Sequence, residues 1–206
     1  MFNMYEYLEN QYGKNVPILL SDIKIEGIND ATIRQAISRL EKKGVLKKYD
    51  TGVYYMPKQT ITKESYLSFE SVIERKYITD GKEIFGFFGG MYLKNRFNIT
   101  TQVPNDLEII TNETSSRKRM ITLGGRELVL RMPKVEINKN NVLVLEFLEL
   151  IGIIEFLELM DNLDIIAAYV IQADLKREVV QSYLKYYPNK ISRYLIESGL
   201  IYVFAS

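Results

Sequence analysis

Gln35, Arg34, Arg39 and Ser38 lie within five residues of one another, and together they could read a DNA base edge. Gln pairs bidentately with adenine, Arg with guanine and Ser with either, all through the major groove. Lys42 and Lys43, a few residues on, suit phosphate oxygens, and Thr32 stands one turn earlier. Lys47, Lys48 and Tyr49 follow within reach of a neighbouring backbone. From residue 30 to 58 there are seven basic side chains (Arg34, Arg39, Lys42, Lys43, Lys47, Lys48, Lys58) and three acidic ones (Asp30, Glu41, Asp50), a local balance of +4 in a chain whose net charge is +1. The positive charge is concentrated here.

Such a surface needs a helix that offers one face and buries the other. Ile33, Ala36, Ile37 and Leu40 recur at i, i+3, i+4 and i+7, which predicts a helix from Asn29 or Asp30 to Lys43 with Gly44 beyond its end. At 100° per residue the opposite face holds Ala31, Gln35, Ser38 and Lys42, flanked by Arg34 and Arg39. Helices are expected over residues 2 to 12 and 17 to 24, with Pro17 tolerated in a first turn. Two β-prone runs, Val45 to Tyr49 and Val53 to Met56, are joined by Asp50-Thr51-Gly52, a hairpin signal. Three short helices and a hairpin give the order of a winged helix-turn-helix. The bland reading is a solvated amphipathic helix, and a winged helix can also dock a protein.

Pro57 to Lys63 is polar and non-periodic, so a boundary is placed there, with a DNA-binding domain over 1 to 58 and a second domain over 59 to 206. In the second domain, helices are expected at 69 to 78 and 86 to 97. Strands follow at 106 to 112, 118 to 123 and 126 to 131, and helices at 141 to 150, 153 to 160, 162 to 186 with a break, and 188 to 198. The fold class is α+β with a helical C-terminus.

The 206 residues contain neither histidine nor cysteine, which excludes Ser-His-Asp hydrolysis, His-bound zinc and thiolate chemistry. Gly86-Phe87-Phe88-Gly89-Gly90 has no Lys-Ser or Lys-Thr after it and is no phosphate loop. No cofactor motif is present, and the chain does not read as an enzyme. MFNMYEYLENQYGKN lacks the apolar run of a secretory signal, which points to the cytoplasm. The most apolar stretch, Val142 to Leu159, is interrupted by Glu146, Glu149, Glu155 and Glu158, whereas a membrane span needs about 20 nearly uncharged residues. These glutamates read as the wet side of amphipathic helices in preference to a metal site.

The run from Gly89 through Met91-Tyr92-Leu93-Lys94-Asn95-Arg96-Phe97 and Thr100-Thr101-Gln102-Val103-Pro104, continuing Asp106 to Asn112, resembles the core signature of AbiEi-type antitoxins. The wing close Gly52-Val53-Tyr54-Tyr55-Met56-Pro57 is similar to the end of that family's N-terminal domain, while the part from about residue 141 matches only in its helical character. The resemblance implies a type IV antitoxin that neutralises a nucleotidyltransferase-like toxin and represses its own operon at inverted repeats. It also implies that the C-terminal domain carries the neutralising activity. A basic strand region (Arg117, Lys118, Arg119, Arg126, Arg131, Lys134, with Lys139) could extend the DNA footprint, touch a toxin's RNA substrate, or be a set of solvated edges. The absence of a long heptad favours a monomer in solution, with two copies on an operator. The alternative reading is a winged-helix regulator whose C-terminal domain senses a small ligand.

Overall fold

Asn3 starts the first helix, α1 (Met4–Tyr12), by accepting the Tyr5 N–H at 3.1 Å on its side chain, and Gly13, at φ 75°, ends it. This is a computed structural model, which describes residues 2–59, 64–102 and 107–205. The chain divides into two units: Met1–Lys76 with Leu123–Gly125, and Tyr77–Thr122 with Arg126–Ser206. The first unit thus continues past residue 58. Part of the expected linker, Thr60 to Lys63, lies outside the described residues.

The helix expected over 17 to 24 is not formed. Ile18–Leu19 is a short strand, β1, followed by a single 3-10 turn at Leu20–Asp22. Ile18 pairs with Tyr54 and Leu19 with Val53, so a distant strand offers the backbone better partners than a local helix whose first turn contains a proline. The second helix, α2 (Asp30–Lys42), forms as its spacing requires. The Asn29 side chain caps the Thr32 N–H at 2.8 Å, Ile33 and Ile37 are buried, and Gly44 takes φ 72° just past the end. β2 (Lys47–Asp50) and β3 (Val53–Tyr55) close a sheet of order β1-β3-β2. The register slips between Lys48 and Asp50, which bulges Tyr49 out of the ladder. Leu8, Ile18, Ile23, Ile33, Ile37, Leu46 and Met56 make one core, each side chain contributing roughly 1.5–3 kcal/mol of burial before conformational entropy is subtracted. α3 (Phe69–Ile73), capped by Ser68, runs on into a π-turn at Glu74–Ile78.

The second unit contains a sheet of order β4-β5-β7-β6, from Gly86–Phe88, Leu107–Thr111, Arg126–Arg131 and Lys118–Leu123. β5 runs antiparallel to β4 and parallel to β7. The helix expected over 86 to 97 is therefore divided. Its first residues pair with β5, Phe87 opposite Ile110, and α4 begins only at Gly90 and ends at Arg96. A Cβ on Gly86 would sit 2.0 Å from the Tyr77 carbonyl oxygen, and Gly90 takes φ 56°, so both glycines mark sheet and turn geometry where a helix was expected. Asp106, expected to begin a strand, lies outside the described residues.

The C-terminal half is helical: α5 (Val142–Ile153), α6 (Phe156–Asp161), α7 (Leu163–Gln172), α8 (Arg177–Leu184) and α9 (Asn189–Glu197). The break expected within 162 to 186 falls near Asp174, at φ 48°. α5 is apolar around most of its circumference and is buried accordingly, with Phe147, Leu148 and Ile151 packed among Ile166, Val170, Ile191 and Leu195. Among the described residues no helix is long and apolar enough to cross a membrane.

Candidate nucleic-acid interface

Anchored by Ile33 and Ile37, α2 turns Thr32, Arg34, Gln35, Arg39 and Lys42 to solvent, with Ser38 half-buried at the edge and Lys43 exposed beyond the last turn. Among the described residues, Arg34, Arg39, Lys42, Lys43 and Lys48 have no acidic partner within salt-bridge distance. Arg39, Lys42 and Lys43 stand at the C-terminal end, where the helix dipole favours cations. Their charge is directed to solvent, available for an external anion.

The three residues expected on a wing differ from one another. Lys48 is exposed. Lys47 is half-buried and lies 3.2 Å from the Glu64 carboxylate. Tyr49 is also half-buried, and a Cβ on Gly124 would meet its ring at 2.5–2.7 Å. Beside it the Asp50 carboxylate accepts the Gly124 N–H at 2.7 Å and the Thr51 N–H at 2.5 Å. The Gly124 N–H, chiefly, lowers the Asp50 pKa; burial opposes it, and the Thr51 N–H with the charges of Lys76 and Lys48 adds to the lowering. Thus β2 reserves Tyr49 and Asp50 for contacts within its own unit.

The basic strand region also separates. Arg117, Lys118, Arg119 and Arg126 are exposed, Lys118 lying 4.0 Å from Glu108. Arg131, half-buried, and Lys134, exposed, are instead committed to internal carboxylates. Arg131 Nε donates to Glu108 Oε1 at 3.1 Å and its Nη2 to Glu149, while the Lys134 ammonium is 3.6 Å from Glu149 and 4.0 Å from the Tyr187 ring centroid. Burial lowers the Lys134 pKa, with Glu149 acting in the opposite sense.

These contacts also correct the reading of the glutamates on α5. Glu146 and Glu149 are buried, each 6% exposed, because cations from other elements reach them: Arg96 at 2.9 Å for Glu146, and Arg131 with Lys134 for Glu149. Glu158 receives Lys94 at 2.7 Å, and Glu155 caps α6 with Lys190 3.4 Å away. Among the described residues no three acidic side chains gather as a metal site. A further ion pair, invisible to any local pattern, joins Asp22 to Arg75, 53 residues apart and 2.5 Å in contact.

In the antitoxin-like run, Gly89 to Arg96 starts and fills α4, and Asn95 Nδ2 donates to the Gln102 carbonyl at 2.8 Å. Val103 to Asp106 lies outside the described residues. No curated protein matches the chain in sequence. Residues 9–181 match a family described as of unknown function, DUF6088, and across α2, the β2–β3 hairpin, both basic regions and most of the helical half the chain belongs to that family.

Proposed function

We propose that the first unit is a winged helix that binds duplex DNA, with α2 as its recognition helix in the major groove and Lys48 on a wing beside the phosphates. The observation that carries this reading is the set of five cations, Arg34, Arg39, Lys42, Lys43 and Lys48, exposed and without an internal counter-charge among the described residues. An exposed basic face on a rigidly anchored helix provides both phosphate binding and base contacts at fixed spacing. Thr32, Gln35 and Ser38 add polar groups to the same face.

The biological role proposed is that of a type IV antitoxin, acting in the cytoplasm without catalysis. Two copies occupy inverted half-sites and repress the operon, and the second unit neutralises a nucleotidyltransferase-like toxin. The support for this half is the antitoxin-like run Gly89 to Gln102.

Electrophoretic shifts of the native promoter fragment and of a scrambled duplex, with the full chain and across salt concentrations, test the DNA half. Tighter binding to the promoter, with a steep salt dependence, is expected; equal affinity for the two duplexes overturns it. Co-expression with a nucleotidyltransferase-like toxin, expected from an adjacent reading frame, tests the other half. Failure to restore growth overturns the antitoxin role.

A further inference from the structure

Asp22 closes the 3-10 turn from which the chain passes into α2. Both of its carboxylate oxygens are occupied: Ser21 Oγ donates to Oδ1 at 2.9 Å, and Arg75 Nη2 donates to Oδ2 at 2.5 Å. The Arg75 and Asp22 side chains are 19% and 29% exposed, so the pair is partly shielded from water, unlike an ordinary surface pair. Tyr12, the last residue of α1, lies within electrostatic reach of both charges. The next residue, Ile23, is buried in the same core as Ile33 and Ile37 of α2. From Ile23 the chain reaches the Asn29 cap through a tight loop, with Ile25 bridged to Ile28 and Gly27 at φ 76°. A shift of Asp22 is therefore passed to α2 by its neighbour Ile23, which shares a core with Ile33 and Ile37, and by the short loop from Lys24 to Asn29.

We propose that Arg75 is a positioning residue for the DNA-reading helix, holding Asp22 so that the turn before α2 delivers Thr32, Arg34 and Gln35 in a fixed orientation. This inference rests on the DNA-binding reading. Arg75 comes from the π-turn after α3, outside the segment that sequence periodicity marks as DNA-binding. Single π-turns are frequent at functional sites, and this one carries the guanidinium that holds Asp22 in the turn preceding α2. Arg75 itself touches no DNA in this scheme; it acts through Asp22.

The test uses the full chain. Arg75→Gln is expected to lower affinity for the native promoter fragment about five- to tenfold, with affinity for a scrambled duplex and the salt dependence unchanged, because every exposed cation remains. Asp22→Asn should reproduce the loss, and Arg75→Lys should recover part of it. In the free protein, amide hydrogen exchange of Arg75→Gln should quicken from Ile23 to Arg34 while α1 and α5 keep their protection. Wild-type promoter affinity, a salt slope smaller by about one, or unchanged exchange over Ile23 to Arg34 would each overturn the proposal, the second by making Arg75 a phosphate contact. If the wild type does not distinguish promoter from scrambled duplex, the DNA reading falls, and the exchange measurement still decides whether Arg75 holds the turn.

Discussion

Arg96 Nη1 donates to Glu146 Oε1 at 2.9 Å, joining a half-exposed cation on α4 to a carboxylate that α5 carries into its core. Removing one member of such a pair leaves the other buried and uncompensated. Arg96→Ala is expected to cost about 2–3 kcal/mol in urea unfolding, less than for a fully buried pair because solvent screens the guanidinium. Adding Glu146→Gln should recover most of that loss. No recovery would mean that Arg96 acts by packing alone.

The same carboxylate gives a pH dependence with a definite sign. Burial raises the Glu146 pKa above the ordinary carboxylate value, and Arg96 opposes the rise. The folded state thus holds this proton more tightly than the unfolded chain does. The favourable contribution is complete below the unfolded pKa and is lost as pH rises through the folded one. Wild-type stability relative to Glu146→Gln should fall over that interval and fall further in an Arg96→Ala background. A flat difference in unfolding across pH would contradict this.

Gly124 and Gly125 form a controlled comparison. Both have positive φ, 56° and 77°, but a Cβ at Gly124 meets the Tyr49 ring whereas one at Gly125 meets nothing within 4 Å. Gly125→Ala should cost about 1 kcal/mol of backbone strain. Gly124→Ala adds overlap and should cost roughly 2–4 kcal/mol, with a smaller increment in a Tyr49→Ala background. Thermal unfolding of the four variants measures this, and equal costs at the two glycines would remove the role given to Tyr49.

The two kinds of cation in the basic strand region should behave differently. Arg131→Ala leaves Glu149, 7% exposed at its side chain, short of its main partner and is expected to cost on the order of 3–5 kcal/mol. Arg119→Ala, at an exposed position, should stay within about 0.5 kcal/mol. Comparable losses in urea unfolding would show that the exposed arginine is also structural.

On the proposed DNA face, Arg39→Ala should weaken promoter binding and reduce the salt slope by about one, since Arg39 is exposed and without an acidic partner among the described residues. Lys47→Ala should have a smaller effect, because Glu64 holds its ammonium 3.2 Å away. Glu64→Gln should then tighten binding modestly. If Lys47→Ala is the more damaging change, the wing carries the contact assigned to α2.

Much of this molecule is written locally, and the errors fall where it is not. α2 follows from its apolar spacing and the Asn29 cap, and β6 and β7 span the expected residues around Gly124-Gly125. β1 could not be found this way, because two residues become a strand only when β3 pairs with them. Gly86–Phe88 likewise looks like the beginning of a helix until β5 lies beside it. The buried state of Glu146 and Glu149 depends on Arg96, Arg131 and Lys134, which come from α4, the end of β7 and the loop after it. Carboxylate spacing along α5 is the same whether those cations arrive or not. For the candidate DNA face the outward residues were legible, whereas the Asp22–Arg75 contact and the separate commitments of Lys47 and Tyr49 required tertiary structure.

The turn Leu123–Gly125 belongs to the first unit although the strands on either side of it belong to the second. On the ribosome, the N-terminal unit therefore cannot be completed when Lys76 leaves the exit tunnel. It waits until Gly124 has emerged to meet Tyr49 and Asp50, and by then β4, β5 and β6 have been made. Synthesis order and assembly order are thereby uncoupled, and a nascent chain arrested before residue 125 presents an N-terminal unit that lacks its Leu123–Gly125 turn.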